Sequence, residues 1–135
     1  MRVRLSPPPA GASRRVSKVI IHLGHLPDRD LSPNKRLHHM AYYHAKLLAK
    51  EEAYLRVLEQ GRPRVPMPQA HITITWVAKD KRRRDIDNLF ASMKPYIDGL
   101  VAASVIADDS ADHVTYSLRY ERGEKDDTII EIEGS

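Results

Sequence analysis

The chain has no cysteine among its 135 residues. Disulfides, Cys-ligated zinc and a thiol nucleophile are thereby excluded, and a reducing cytoplasm suits such a composition. Its six glycines form no phosphate-cradling Gly-rich loop, which argues against a nucleotide cofactor. No apolar run approaches the roughly 20 residues that a membrane span needs. The first fifteen residues, MRVRLSPPPAGASRR, lack the continuous apolar core of a signal peptide. A soluble, cytoplasmic protein with no membrane partner is the expectation. No serine sits in a nucleophile-elbow sequence. His38, His39 and His44 lack the i,i+4 spacing of two zinc ligands on one helix face, and His22 and His25 flank a glycine in a weak match.

What the chain has is segregated charge. The formal net charge is +4 and the sequence pI is about 9.4. Five cations fall within the six residues KDKRRR, 79–84, and Arg2, Arg4, Arg14 and Arg15 make the N-terminal arm basic. The acids gather at 108–112 and 121–133. Such distribution, more than the total, points toward a polyanion such as nucleic acid.

Residues 1–15, with three consecutive prolines and four arginines, read as a basic arm with little to bury. Residues 16–135 read as a single domain. VSKVIIHL, 16–23, is β-branched and reads as a strand. A helix is expected over 35–60, capped by Ser32 with Pro33 at its first turn and closed by Gly61. Its apolar stripe is Leu37, Met40, Ala41, His44, Leu47, Leu48, Leu55 and Leu58. AHITITWV, 70–77, alternates Ile72, Ile74 and Trp76 against His71, Thr73 and Thr75, the pattern of a half-buried strand. A second helix is expected over 88–103, burying Leu89, Phe90, Met93, Ile97, Leu100 and Val101. HVTYSLRYE and DTIIEIE read as two strands, and RGEKD between them suggests a hairpin of antiparallel neighbours. The order β-α-β-α-β-β implies a two-layer α+β fold, a mixed sheet with helices on one face.

The segment KRRRDIDNLF, 81–90, sets four cations against Asp85 and Asp87. On a helix, side chains at i and i+2 diverge; on extended chain they share a side. A metal-binding reading therefore requires DID to be extended, with Asp87 as N-cap of the helix that follows. A second acidic pair, Asp108-Asp109, follows that helix. If the two pairs meet, their hard oxygen donors suit Mg²⁺ or Mn²⁺. The residues alone leave the bland alternative open: Asp87 a cap, Asp108-Asp109 a turn, the basic run a solvated loop. An EF-hand is not supported, since no glycine stands sixth from Asp85.

RRRDIDNLFASMKPYIDGLVAASVIADD, 82–109, resembles the core of the RusA family of Holliday junction resolvases. That family has an Arg-rich run, D-x-D-N-L, a lysine on the next helix and a D-D pair about twenty residues on. An early strand, LSPNKRLHH ahead of a long helix, and two closing strands agree in type, so the likeness extends over 16–133. The resemblance implies a Mg²⁺-dependent endonuclease, with Mn²⁺ as substitute. Its partners would be branched four-way DNA and a second copy of the chain in a homodimer, within a bacterial or phage-infected cell. It implies that Asp85, Asp87 and Asp109 hold metal, with Asp108 beside them, and that Lys94 serves catalysis. Lys81, Arg82, Arg83, Arg84, Arg14, Arg15, Lys35 and Arg36 would grip phosphates, a salt-dependent contact that carries little sequence information. A nuclease for flaps or forks, and a non-catalytic DNA-binding module, use the same residues and stay open.

The lysine departs from the family pattern. The family places it four residues after the second aspartate, where this chain has Ala91; Lys94 comes three later. On one straight helix Lys94 would lie within about 20° of Asp87 and about 10 Å along the axis. Pro95 disfavours helical geometry at Lys94 and suits a fresh helix start.

Overall fold

The computed structural model of the chain describes residues 18–33 and 39–134. The basic arm, including Arg14 and Arg15, lies outside the described residues, as do Lys35, Arg36 and Leu37. The elements are β1 (Lys18–His22), α1 (His39–Gln60), β2 (Ala70–Ala78), α2 (Ile86–Ala91), α3 (Lys94–Ala102), β3 (Val114–Arg122) and β4 (Asp127–Gly134). A short 3₁₀ turn, Arg29–Leu31, precedes α1. Ser32 caps the C-terminal end of that turn, where a helix N-cap was expected. The fold is the expected two-layer α+β arrangement, with a four-stranded mixed sheet.

The strand order is β1-β4-β2-β3. β2 alternates over its whole length, burying Ile72, Ile74 and Trp76 as its period-2 pattern requires. The registers Ile21↔Ile130, Ile130↔Ile74 and Ile132↔Ile72 continue that apolar face across β1, β4 and β2. β3 adds Val114, Tyr116, Leu118 and Tyr120 on the same side.

The expected hairpin does not form. β3 pairs with β2 in parallel and β4 pairs with β2 antiparallel, so β2 lies between the two closing strands. The connection 123–126 crosses the end of β2. Two strand spacings are about 10 Å, which four residues of chain can span. The end of β2 holds the crossing from beneath: Gly123 N donates to the Ala78 carbonyl, and Lys79 N donates to the Asp126 carboxylate. A Cβ on Gly123 would stand 2.5 Å from the Val77 Cγ1, so the close approach favours glycine there.

The facing of α1 is also the reverse of the expected one. Ala45, Ala49, Ala53 and Val57 are buried, while Met40, Leu47, Leu48, Leu55 and Leu58 are exposed. α1 packs chiefly against α3, and the reason is a close backbone approach. A Cβ at Gly99 of α3 would stand 2.5 Å from the Lys50 carbonyl oxygen and 2.8 Å from the Ala53 Cβ. Only small side chains fit such a seam, so the alanines face in and the leucines face out. Gly61 ends α1 as expected, at φ 99° with its N–H bonded to the Val57 carbonyl.

The single helix expected over 88–103 is two helices. α2 ends at Ala91, Ser92 and Met93 make the turn, and Pro95 stands in the first turn of α3. Proline has no N–H to lose at that position, and its fixed φ is preorganised for a helix start. Met93, Tyr96, Ile97 and Leu100 are buried, while Leu89 and Phe90 pack at the edge of the core.

Candidate active site

Two charged clusters flank α2. The first is organised by Asp80. Arg84 donates two hydrogen bonds to its carboxylate, at 2.7 and 3.0 Å, and a third, at 3.2 Å, to the Tyr120 hydroxyl. The Arg82 amide donates to the same carboxylate. Arg122 reaches across from β3, donating to the Asp80 and Arg82 carbonyls while its guanidinium lies 5.3 Å from the Tyr120 ring centroid. The paired Arg84 holds the Asp80 carboxyl far below the usual carboxylate range, and Asp80 in turn raises Arg84.

This changes the reading of the basic run. The Arg84 side chain is only 19% exposed and is committed to the loop. Arg83, at 92% exposed, has its guanidinium 3.5 Å from the Asp85 carboxylate. Lys81 and Arg82 also face solvent. An open groove of about 900 Å³ lies here, lined among others by Arg29, Arg82, Arg83, Arg84, Asp85 and Asn88.

Asp85 and Asp87 take different roles from those expected. Asp85, not Asp87, is the N-cap, with extended backbone (φ −89°, ψ 130°) and no side-chain cap bond. Asp87 lies inside the first turn of α2, and its carboxylate accepts from the Asn88 amide at 3.0 Å. The helix begins one residue into DID, so the segment is not extended throughout. An acid in the first turn favours that earlier start, because exposed amides and the helix dipole attract it. Both carboxylates are exposed.

The second cluster centres on Lys94, at the head of α3. Its amine donates to Asp98 at 2.9 Å, one helical turn on, and to Asp109 in the loop beyond α3. The break in the helix makes this possible. On one straight helix Lys94 would lie over Asp87; with α3 starting afresh, it stands against its own Asp98 and the returning loop. The Asp109 bond, then the Asp98 bond, hold the Lys94 amine well above the ordinary lysine range. Lys94 in turn holds Asp109 below the usual carboxylate range. Beside them Phe90 of α2 meets Tyr116 of β3 edge-on, ring centroids 4.9 Å apart. Burial first, and then the Asp109 charge, push the Tyr116 phenol upward.

The structure therefore brings Asp109 to Lys94 and Asp98. Asp108 is exposed beside it, and Lys94 and Asp109 do not line the groove at Asp85. Among the described residues no three His, Asp or Glu side chains stand together in a group able to hold a metal ion. The oxygen donors suit a hard divalent cation by their chemistry, but not as a preassembled cage. Asp80, Asp98, Tyr120 and Arg122 were not among the residues singled out from sequence. Asp98 had a signal, its i,i+4 spacing from Lys94. Asp80 had the same signal in Arg84, four residues on; its link to Arg122 had none, because Arg122 lies on a strand about forty residues away.

No helix among the described residues is long and apolar enough to cross a membrane. No protein-family model matches the chain, and no curated protein matches its sequence significantly.

Proposed function

We propose that the protein is a Mg²⁺-dependent endonuclease of the RusA type that resolves four-way DNA junctions by paired nicks. The observation that carries the reading is the Lys94–Asp109 pair, which joins the two halves of the family-like segment across fifteen residues. A cation beside a carboxylate at a helix head suits a scissile phosphate: Lys94 would stabilise the charge that develops there as the bond breaks. Exposed Lys81, Arg82 and Arg83, beside the groove at the start of α2, would bind flanking phosphates. Mg²⁺, or Mn²⁺ in its place, would be held by Asp85, Asp87, Asp108 and Asp109, and would supply Lewis acidity and an activated water. A four-way junction is approximately two-fold symmetric, so a two-fold dimer would present one site to each of two symmetry-related strands.

Incubation of a synthetic mobile junction with the protein and Mg²⁺ tests this. Symmetric paired nicks, abolished by Asp85→Asn while junction binding persists, are expected. Binding without cleavage would favour a DNA-binding module, and preferential cutting of flaps or forks would move the substrate to other branched DNA. Either result overturns the proposal.

A further inference from the structure

Among the described residues, seven of the nine exposed large hydrophobics belong to one element, α1. Tyr43, Leu47, Leu48, Leu55 and Leu58 are each between 43% and 57% exposed. The opposite face of the same helix is already packed on α3 through Ala45, Ala49, Ala53 and Val57. A helix apolar on both sides is normally covered on both sides. At 100° per residue, Leu47, Leu55 and Leu58 fall within one sector with Glu51 among them, and Leu48 and Tyr43 border it. Half the surface of five such side chains comes to roughly 500 Å², or about 1,000 Å² across two copies, the threshold for a specific interface.

The order of residues on that face indicates what covers it. His44, Leu47, Glu51, Leu55 and Leu58, all exposed, are placed symmetrically about Glu51, at four and seven residues on either side. A two-fold axis perpendicular to a helix converts residue 51 + n into residue 51 − n. An antiparallel second copy would therefore meet Leu47 with Leu55 and His44 with Leu58, each contact made twice. A different partner would not require this palindrome.

We propose that the outer face of α1 is the surface on which two copies of this chain associate, antiparallel, with the two Glu51 side chains facing each other at the axis. The inference rests on the dimeric part of the proposed function and not on its chemistry. Like charges at the axis oppose the pairing, so the dimer is weaker than its leucines alone would make it.

Sedimentation of the full chain, with no DNA present, provides the first test. Wild type is expected to sediment as a dimer and Leu55→Glu as a monomer with an unchanged circular dichroism spectrum; Glu51→Gln should tighten the dimer several-fold. Because the chain lacks cysteine, Glu51→Cys supplies a single reporter. Under mild oxidation it should form a disulfide-linked dimer rapidly, while Glu121→Cys, on exposed β3, should not. The inference is overturned by a wild-type monomer, by a dimer that survives Leu55→Glu, or by Glu51→Cys crosslinking no faster than Glu121→Cys. A wild-type monomer that dimerises only after removal of residues 1–17 would assign the face to the arm, and equally overturns it. Junction nicking is read separately, so failure of the interface and failure of the nuclease reading are distinguishable.

Discussion

The clusters on either side of α2 are built in opposite ways. At Asp80 one carboxylate is surrounded by cations: Arg84 binds it in a fork, the Arg82 amide adds a bond, and Arg122 ties down the neighbouring carbonyls. At Lys94 one cation is shared by two carboxylates, Asp98 and Asp109, and its side chain remains 62% exposed. A planar guanidinium in a fork loses geometry as well as charge when its partner changes. An ammonium on a flexible stem can exchange one oxygen for another. The first cluster is suited to hold a loop; the second is suited to meet an anionic substrate.

The largest effect is expected at Lys94. Lys94→Ala is expected to lower junction cleavage by about 10²–10³-fold, the usual cost of removing one preorganised stabiliser of transition-state charge. Its melting temperature should stay close to wild type, because exposed ion pairs add little stability. Cleavage near the wild-type rate would remove Lys94 from the chemistry.

The next effect separates two adjacent arginines. Arg84→Ala should lower the melting temperature by roughly a few degrees, through loss of the fork on Asp80. Arg83→Ala should leave melting unchanged and reduce the salt dependence of DNA binding by about one phosphate contact. Thermal melts and binding isotherms across salt concentrations distinguish them. Equal melting losses for both variants would contradict the division of labour.

Smaller effects follow from protonation. The folded-state pKa of Asp109 is depressed, chiefly by the Lys94 bond. Its contribution is therefore present above the ordinary carboxylate value of 3.8 and is lost as pH falls through the lower folded value. The small stability difference between wild type and Lys94→Met should vanish in that acid range.

His25 shows the opposite sign. Its Nδ1 lies 2.6 Å from the Leu26 carbonyl and its Nε2 2.7 Å from the Glu52 carboxylate, and both partners are acceptors. Only the doubly protonated ring satisfies both. Burial opposes that form, yet the Leu26 and Glu52 bonds prevail and the pKa is raised above 6.5. Its stabilisation is complete below pH 6.5 and fades as pH rises through the higher folded value. Melting of wild type against His25→Gln should therefore converge toward alkaline pH; a constant difference would show that the ring acts only by packing.

Much of the fold was legible wherever one element carries its own period. The faces of β2 and β3, the glycine stop at Gly61 and the restart at Pro95 are all local, set by pleat, backbone dihedral or a missing N–H. α1 was legible as a helix but not in its orientation. It has two apolar faces, one small and one large, and periodicity cannot say which meets the core. The neighbour decided: Gly99 brings α3 so close that only alanines fit. The same limit applied to the last two strands, since turn residues specify a reversal of direction without specifying the neighbouring strand.

The candidate site divides along the same line. By itself the sequence determined which residues are candidates for chemistry, because carboxylates, lysine and arginines are recognisable by type and spacing. It also determined that a helix would begin near DID, and Pro95 marked a favourable place for a fresh start, although the apolar period read as one helix over 88–103. Only the tertiary structure decided that Lys94 meets Asp109 rather than lying over Asp87, and that Arg84 is tied into its own loop while Arg83 stays exposed. Lys94 with Asp109 and Arg84 with Tyr120 join residues on different elements, and their distances depend on how α3, the loop after it and β3 pack, which no local spacing encodes.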